Sequence, residues 1–456
     1  CEYSNRASSL CSHYLLGVSN EPVDADPNAE PPSGSRAIHA AVALAIILVG
    51  VVLLALVHPA SPIVNVGAAS TEITGNPANS VTKTPPIPPF YDVANPAPAK
   101  PGTLVKSEPV PGGPTGTTST RFIYHSTDNN NKDQVVSGLY VKPTTQPPSG
   151  GFPLVTLAHG TTGTNRHCGI SQTPFEPNMP GYYTFNSQIL PLVQQGYAVV
   201  ATDYQGMGAP GTPSYLVGQI EGRNTLDAVR TVHAWQPDVN KEKTVIWGHS
   251  QGGHSSAFAA ELASSYAPEL AIQGSVVLAP GLLPSLPLAV EGLLASTEPS
   301  GQTGFVMEIA AAWSAAYPDQ MAPETILTPA GVAKLPIVNE VCGSQVFDQF
   351  MSGPMSDFVK SPVPAVFYSL ATENTPGSEK INMPIFMAQG MKDTTIIPQL
   401  TLAFNKQLCQ MGNTVDFHIY PDDTHSGVVV NSRDLAQSWI KDRFEGNPAP
   451  NNCSNQ

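Results

Sequence analysis

From about residue 120 the chain alternates short runs of β-branched and aromatic residues with longer stretches that repeat at helical spacing. Eight runs read as strands: 121–126 (RFIYHS), 135–142 (VVSGLYVK), 153–158 (PLVTLA), 197–203 (YAVVATD), 243–248 (KTVIWG), 273–279 (QGSVVLA), 384–389 (PIFMAQ) and 414–420 (TVDFHIY). The first two alternate apolar and polar positions across the polar turn Asp128–Asn131, which predicts an antiparallel hairpin. The later ones are continuous runs of Val, Ile and Leu, the pattern of parallel strands covered on both faces. Helical stretches fall between them, at 186–195, 221–235, 251–266, 398–411 and 431–444. This order predicts an α/β fold built on a mostly parallel, doubly wound sheet.

One interval is too long for a simple crossover. Residues 282–378 hold proline breaks and apolar helical pieces, including 305–317 (FVMEIAAAWSAAY), and read as a helical cap inserted after the sixth of these strands. Glu308 is the sole charge of that helix, so it is expected to be buried or to roof an apolar slot. The catalytic core is then 116–281 together with 379–447, with a short tail at 448–456.

The amino-terminal part reads differently. Residues 37–57 (AIHAAVALAIILVGVVLLALV) form an apolar run of membrane length, preceded by a polar tail at 1–36. Arg36 flanks the run on its amino side and Glu72 is the first charge beyond it, which puts the amino end inside and the rest of the chain outside. The run is expected to act as a signal peptide or an uncleaved signal anchor, so the protein is exported, either secreted or held on the outer side of the cell membrane. Membrane contact is expected through this segment, 37–57. Residues 58–115 carry repeated Pro/Ala/Gly/Asn runs and read mostly as an extended linker, with a pro-segment wrapped on the domain as the alternative.

Composition fits that picture. Of 456 residues only 12% are charged, and 35 acidic against 21 basic residues give a formal charge of −14. With no Lys/Arg cluster to offset it, a nucleic-acid partner is excluded. Cys1 and Cys11 precede the apolar run, which leaves Cys168, Cys342, Cys409 and Cys453 in an oxidising compartment. Three pairings are open, and Cys168–Cys342 with Cys409–Cys453 is preferred. His167 beside Cys168 lacks the spacing of a metal site.

The chemistry gathers around Gly248-His249-Ser250-Gln251-Gly252, a G-x-S-x-G pattern. The pattern alone is weak. Here it sits between a strand (KTVIW) and an Ala-rich helix, where a serine on a tight turn is exposed to substrate. A serine hydroxyl needs a base to take its proton. Asp393, just past strand 384–389, and His425, just past strand 414–420, follow in the chain order such a triad requires. His418 lies inside a strand, and His249 and His254 flank the nucleophile and are expected to point elsewhere. Asp422 and Asp423 are too close in sequence to His425 to reach its ring easily. The oxyanion hole is expected from the N–H of Gln251 and from the loop His159–Gly163, with Thr161 the favoured donor. Acyl transfer through such a triad calls for no metal or organic cofactor.

With these residues in place, the chain resembles the microbial secretory lipase family of α/β-hydrolases between about residues 95 and 445. The likeness is carried by TLAHGTTG (156–163), VVATDYQGMG (199–208), YLVGQIEGRNTLDAVRTV (215–232), VIWGHSQGGHSSAFAA (245–260), QGMKDTTIIP (389–398) and DDTHSG (422–427). The resemblance implies an α/β-hydrolase fold, hydrolysis of fatty-acyl esters or lipids as lipase or carboxylesterase, and a cap that houses the acyl chain. It also implies Ser250, Asp393 and His425 as nucleophile, acid and base. It departs at one position: fungal members carry an acidic residue at the loop oxyanion position, where Thr161 stands here. Two other function classes use or keep the same scaffold, a cell-envelope acyltransferase or serine peptidase, and more remotely a non-catalytic interaction module.

Overall fold

In the computed structural model, residues 86–93, 96–283 and 286–455 are described. Their centre is a nine-stranded sheet: β1 (Leu104–Pro109), β2 (Thr117–Thr127), β3 (Asp133–Pro143), β4 (Phe152–Ala158), β5 (Ala198–Thr202), β6 (Val239–His249), β7 (Ile272–Leu278), β8 (Ile385–Gly390) and β9 (Val415–Tyr420). In space the order is β1-β2-β3-β5-β4-β6-β7-β8-β9. The first three strands run antiparallel to their neighbours, and β5, β4, β6, β7, β8 and β9 pair in parallel. All eight expected strands are present. β1 is an addition, inside the stretch expected to be a linker. Bounded by Gly102 and the turn residues Pro111–Pro114, it is short enough to serve as an edge strand despite its proline-rich surroundings. Tyr91, in the same stretch, is fully buried, and its hydroxyl bonds Ser171 Oγ at 2.7 Å.

The central strands read as unbroken apolar runs because alternate residues serve two different cores. Val245 and Trp247 of β6, Val276 and Leu278 of β7, and Phe386 and Ala388 of β8 pack on one face with Trp439 and Ile440. Ile246, Val277, Ile385 and Met387 point the other way, against Leu226, Ala257 and Leu408. The covering helices are α1 (Gly218–Trp235), α2 (Gln251–Tyr266), α6 (Pro398–Gln410) and α7 (Arg433–Phe444).

Between β7 and β8 lies the helical insertion, with α3 (Leu286–Leu294), α4 (Gln302–Ala316) and α5 (Ala365–Glu373) as its longer helices. It has an apolar core of its own, built on Met307, Trp313, Val338, Phe350 and Phe367 and extended by Leu216 and Ile220 from the sheet domain. Cys168–Cys342 and Cys409–Cys453 are both disulfide-bonded. The first joins the loop after β4 to the insertion, and hydrogen bonds run alongside it: Gly343 N–H donates to Thr162 O at 2.9 Å, and Asn165 Nδ2 to Val341 O at 2.9 Å. Cys1, Cys11 and the apolar run 37–57 lie outside the described residues. Among the described residues no helix is long and apolar enough to cross a membrane.

Candidate active site

Ser250 stands between the end of β6 and the first residue of α2, at φ 61° and ψ −122°. A side chain in this left-handed region is strained, and the neighbours show what holds it there. A Cβ on Gly248 would lie 1.9 Å from Gly252 O, and one on Gly252 would lie 1.9 Å from Ala158 O. Any other residue at either place would push β6, β4 and α2 apart. The two glycines of the motif are therefore a packing requirement of this turn. Ser250 N–H donates to Leu278 O at 3.0 Å and its carbonyl accepts from Gly281 N–H at 2.9 Å, which fixes the turn against β7.

The loops after β8 and β9 meet beside it. His425 Nδ1 donates to Asp393 Oδ2 at 2.7 Å. Asp393 Oδ1 accepts from the N–H groups of Thr395 and Ile396 at 2.9 and 2.8 Å, and Gln389 Nε2 donates to Oδ2 at 3.1 Å. With its carboxylate buried and fully bonded, Asp393 fixes the imidazole in the tautomer that carries hydrogen on Nδ1. The lone pair of His425 is then on Nε2, as a base requires. Ser250 and His425 line the same cleft. No hydrogen bond joins the serine hydroxyl to that nitrogen among the described residues; catalytic contacts of this kind commonly tighten only with substrate in place. The rivals are engaged elsewhere. Asp422 pairs with Lys392 at 2.7 Å, Asp423 accepts from Asn431 Nδ2 at 2.6 Å, and His418 stacks on Phe386 with centroids 5.1 Å apart.

Gln251 opens α2, so its N–H is one of those left without an intrahelical acceptor. Thr161, on the loop after β4, faces Ser250 across the same cleft, and its Oγ1 bonds Tyr215 Oη at 2.9 Å. Ser250 and Thr161 also line a second cavity, so both sit where two cavities meet. One, of about 290 Å³, is walled by Leu216, Leu283, Val290, Leu293, Val306 and Ile309 and runs under the insertion. The other, of about 690 Å³, opens past His425 and is walled by polar and aromatic residues.

The sequence profile described as secretory lipase matches residues 184–452, more than half of the chain. The chain belongs to the secretory lipase family. Lipase 6 of Candida albicans is 26% identical to this secretory lipase over 394 residues, 78% of this chain and 80% of that protein. A secreted triacylglycerol lipase of Malassezia globosa is 27% identical over 276 residues, 57% of this chain and 58% of that protein, so the match spans little more than half of the Malassezia enzyme. In fold, the crystal structure of Candida antarctica lipase A superposes with a TM-score of 0.68 at 22% identity, over 81% of this chain and 89% of the other.

Two residues of the secretory lipase's site were not legible in its sequence. His249 was expected to point away, yet its Nε2 donates to the His425 carbonyl at 2.9 Å and the two rings lie tilted at 41° with centroids 4.5 Å apart. Burial, followed by the neighbouring His425, pushes its pKa well below 6.5, so it stays neutral, and the carbonyl places its one ring hydrogen on Nε2. Glu221, fully buried at the start of α1, accepts from Gln251 Nε2 at 2.6 Å, Ser255 Oγ at 2.6 Å and Leu216 N–H at 3.0 Å. One carboxylate thus braces the first residues of α2 and the segment that carries Tyr215, the partner of Thr161. The only signal for it was a charge inside the apolar spacing of YLVGQIEGRNTL. His254 donates from Nε2 to Asn374 O at 2.8 Å, away from the cleft. Cys168 is consumed by its disulfide, so it is no partner for a metal at His167.

Proposed function

We propose that this secretory lipase cleaves fatty-acyl esters through an acyl-enzyme on Ser250, with His425 as base, Asp393 holding the imidazolium, and the N–H groups of Thr161 and Gln251 receiving the oxyanion. It is an extracellular carboxylic ester hydrolase. The observation that carries the residue assignment is the convergence of a strained serine and a carboxylate-held imidazole on one cleft wall. In the first step the Ser250 oxygen bonds to the acyl carbon while its proton passes to His425 Nε2. The ester C–O bond then breaks and His425 returns that proton to the departing alcohol. Water repeats the sequence on the acyl-enzyme and releases the acid. Loss of either oxyanion donor is expected to raise the barrier by about 2.7–4 kcal/mol.

The apolar cavity supports an acyl chain as the group that enters beneath the insertion, which we take as a cap spanning 282–378. Turnover of p-nitrophenyl esters is therefore expected to rise from acetyl to medium-length acyl chains. A rate that is highest for acetyl and falls with each longer chain would reject the lipase reading and leave an esterase for short acids. Anchoring through 37–57 is the finer alternative to release from the cell, and fractionation of the full chain between membrane and medium tests it.

A further inference from the structure

The loop that carries Thr161 lies directly against the nucleophile. A Cβ on Gly160 would stand 3.6 Å from Ser250 Cβ and 3.3 Å from His249 O, and Thr161 shares both cavities with Ser250. The polar side chains next to these two residues in sequence are committed elsewhere. Thr162 Oγ1 donates to Cys168 O at 3.0 Å, Gln251 Nε2 to Glu221 Oε1 at 2.6 Å, and His249 Nε2 to the His425 carbonyl. The hydroxyl of Thr161 is the one that still has a hydrogen to give.

Tyr215 holds that hydroxyl from behind. Its Oη and Thr161 Oγ1 are 2.9 Å apart, a distance that leaves either atom free to donate. Burial decides between them. Tyr215 is 4% exposed, and Thr161 Oγ1 is the acceptor within reach of its phenol among the described residues; the carboxylate of Glu308 nearby bonds nothing. A buried O–H left without an acceptor is costly, so the phenol donates and Oγ1 accepts. Burial, and after it Glu308, raises the phenol pKa well above 10, so this donor keeps its proton at any working pH. The next residue along is pinned as well, Leu216 N–H donating to Glu221 Oε1 at 3.0 Å. A threonine hydroxyl carries one hydrogen and two lone pairs. With a lone pair turned to Tyr215, the hydrogen of Thr161 is left for the place where the two cavities meet at Ser250.

We propose that the Thr161 hydroxyl is a third donor to the oxyanion, and that Tyr215 is the positioning residue that turns it there. This rests on the acyl-transfer reading above and adds a side chain to its two main-chain donors. As Ser250 bonds to the acyl carbon, the carbonyl electrons move onto the oxygen, and the Thr161 O–H contact strengthens with the charge that develops. Donation from Tyr215 into Oγ1 polarises the same hydroxyl further. Neither residue gains or loses a proton. Formation and hydrolysis of the acyl-enzyme both pass through such an oxyanion, so the hydroxyl serves both.

Thr161→Val keeps the branched shape and the main-chain N–H and removes the hydroxyl. With p-nitrophenyl octanoate its kcat is expected to fall about a hundredfold while KM stays within about twofold. Thr161→Ser, which keeps the hydroxyl, is expected to stay within about fivefold of the wild type. Tyr215→Phe is expected to lower kcat about tenfold alone and by less than about twofold in the Thr161→Val background, where no hydroxyl remains to be turned. The inhibitor 1,1,1-trifluorodecan-2-one adds to Ser250 as a charged tetrahedral adduct, and its affinity is expected to weaken across these variants in step with kcat/KM. A Thr161→Val enzyme with at least about half the wild-type kcat, a Tyr215→Phe loss equal in both backgrounds, or inhibitor affinity that holds while kcat/KM falls overturns the proposal. Should Thr161→Val not fold, the inhibitor comparison on Tyr215→Phe decides by itself. A wild type with no phosphonate label on Ser250 and no ester turnover would instead bring down the acyl-transfer reading, and this proposal with it.

Discussion

In the proposed mechanism His425 is the base, and a base that moves protons between serine and leaving group needs its main chain held still; the His249 bond supplies that hold. This bond to the His425 carbonyl is a single neutral contact, worth about 0.5–1.5 kcal/mol. His249→Phe keeps the ring contact and removes the bond. It is expected to lower kcat roughly twofold to tenfold with little change in KM, because ester binding does not use the His425 carbonyl. An equal fall in the denaturation midpoint and a rise in KM would mean that His249 merely supports the turn. Sequence reasoning placed Ser250, Asp393 and His425 each on a loop after a recognisable strand, and the structure brings those loops together. It missed the role of His249 for a physical reason: the partner is a backbone carbonyl 176 residues away, which no side-chain pattern records.

At the scale of elements, α4 carries the most unusual decision of the chain. Glu308 lies in its apolar interior, fully buried, with neither carboxylate oxygen bonded, and burial pushes its pKa up to about 8. Tyr215 is the titratable neighbour that feels it, its hydroxyl pKa raised by burial and then by Glu308. Because the folded value exceeds the unfolded 4.5, this group leaves stability intact below pH 4.5 and removes it progressively as pH rises toward about 8. Glu308→Gln removes the titration. Its melting temperature is expected to match the wild type near pH 4 and to exceed it by several degrees near pH 8, measured by calorimetry across that range. Equal differences at both ends would mean that folding does not shift the Glu308 carboxyl, and a variant less stable than the wild type near pH 8 would mean that Glu308 is ionised and paired there. The helix itself was visible in the sequence, as was its lone charge; that the charge faces no partner is a matter of how the insertion folds back on itself. The opposite holds for β1, which alternates too briefly, among too many prolines, to declare itself before β2 is there to pair with it.

Seen whole, the molecule is a scaffold that brings distant loops to one rim. β4, β6, β8 and β9 lie in parallel register, so the loops after their carboxyl ends, bearing Thr161, Ser250, Asp393 and His425, are all delivered to one end of the sheet. This convergence was readable from strand order alone, since parallel strands joined by right-handed crossovers leave all their carboxyl ends on one side. The two cavities were not, because their walls mix residues from the loop after β4, the insertion and the segment after β8, and only packing decides which of these faces the serine. Labelling with a fluorophosphonate followed by peptide mapping probes the proton relay at its source. The wild type should carry label on Ser250 alone, and Ser250→Ala should carry none and lose ester turnover by at least about a thousandfold. His425→Ala should be labelled at least about a hundredfold more slowly. Label on another residue, or a Ser250→Ala enzyme that still hydrolyses esters at near the original rate, would contradict the assignment of Ser250 as nucleophile.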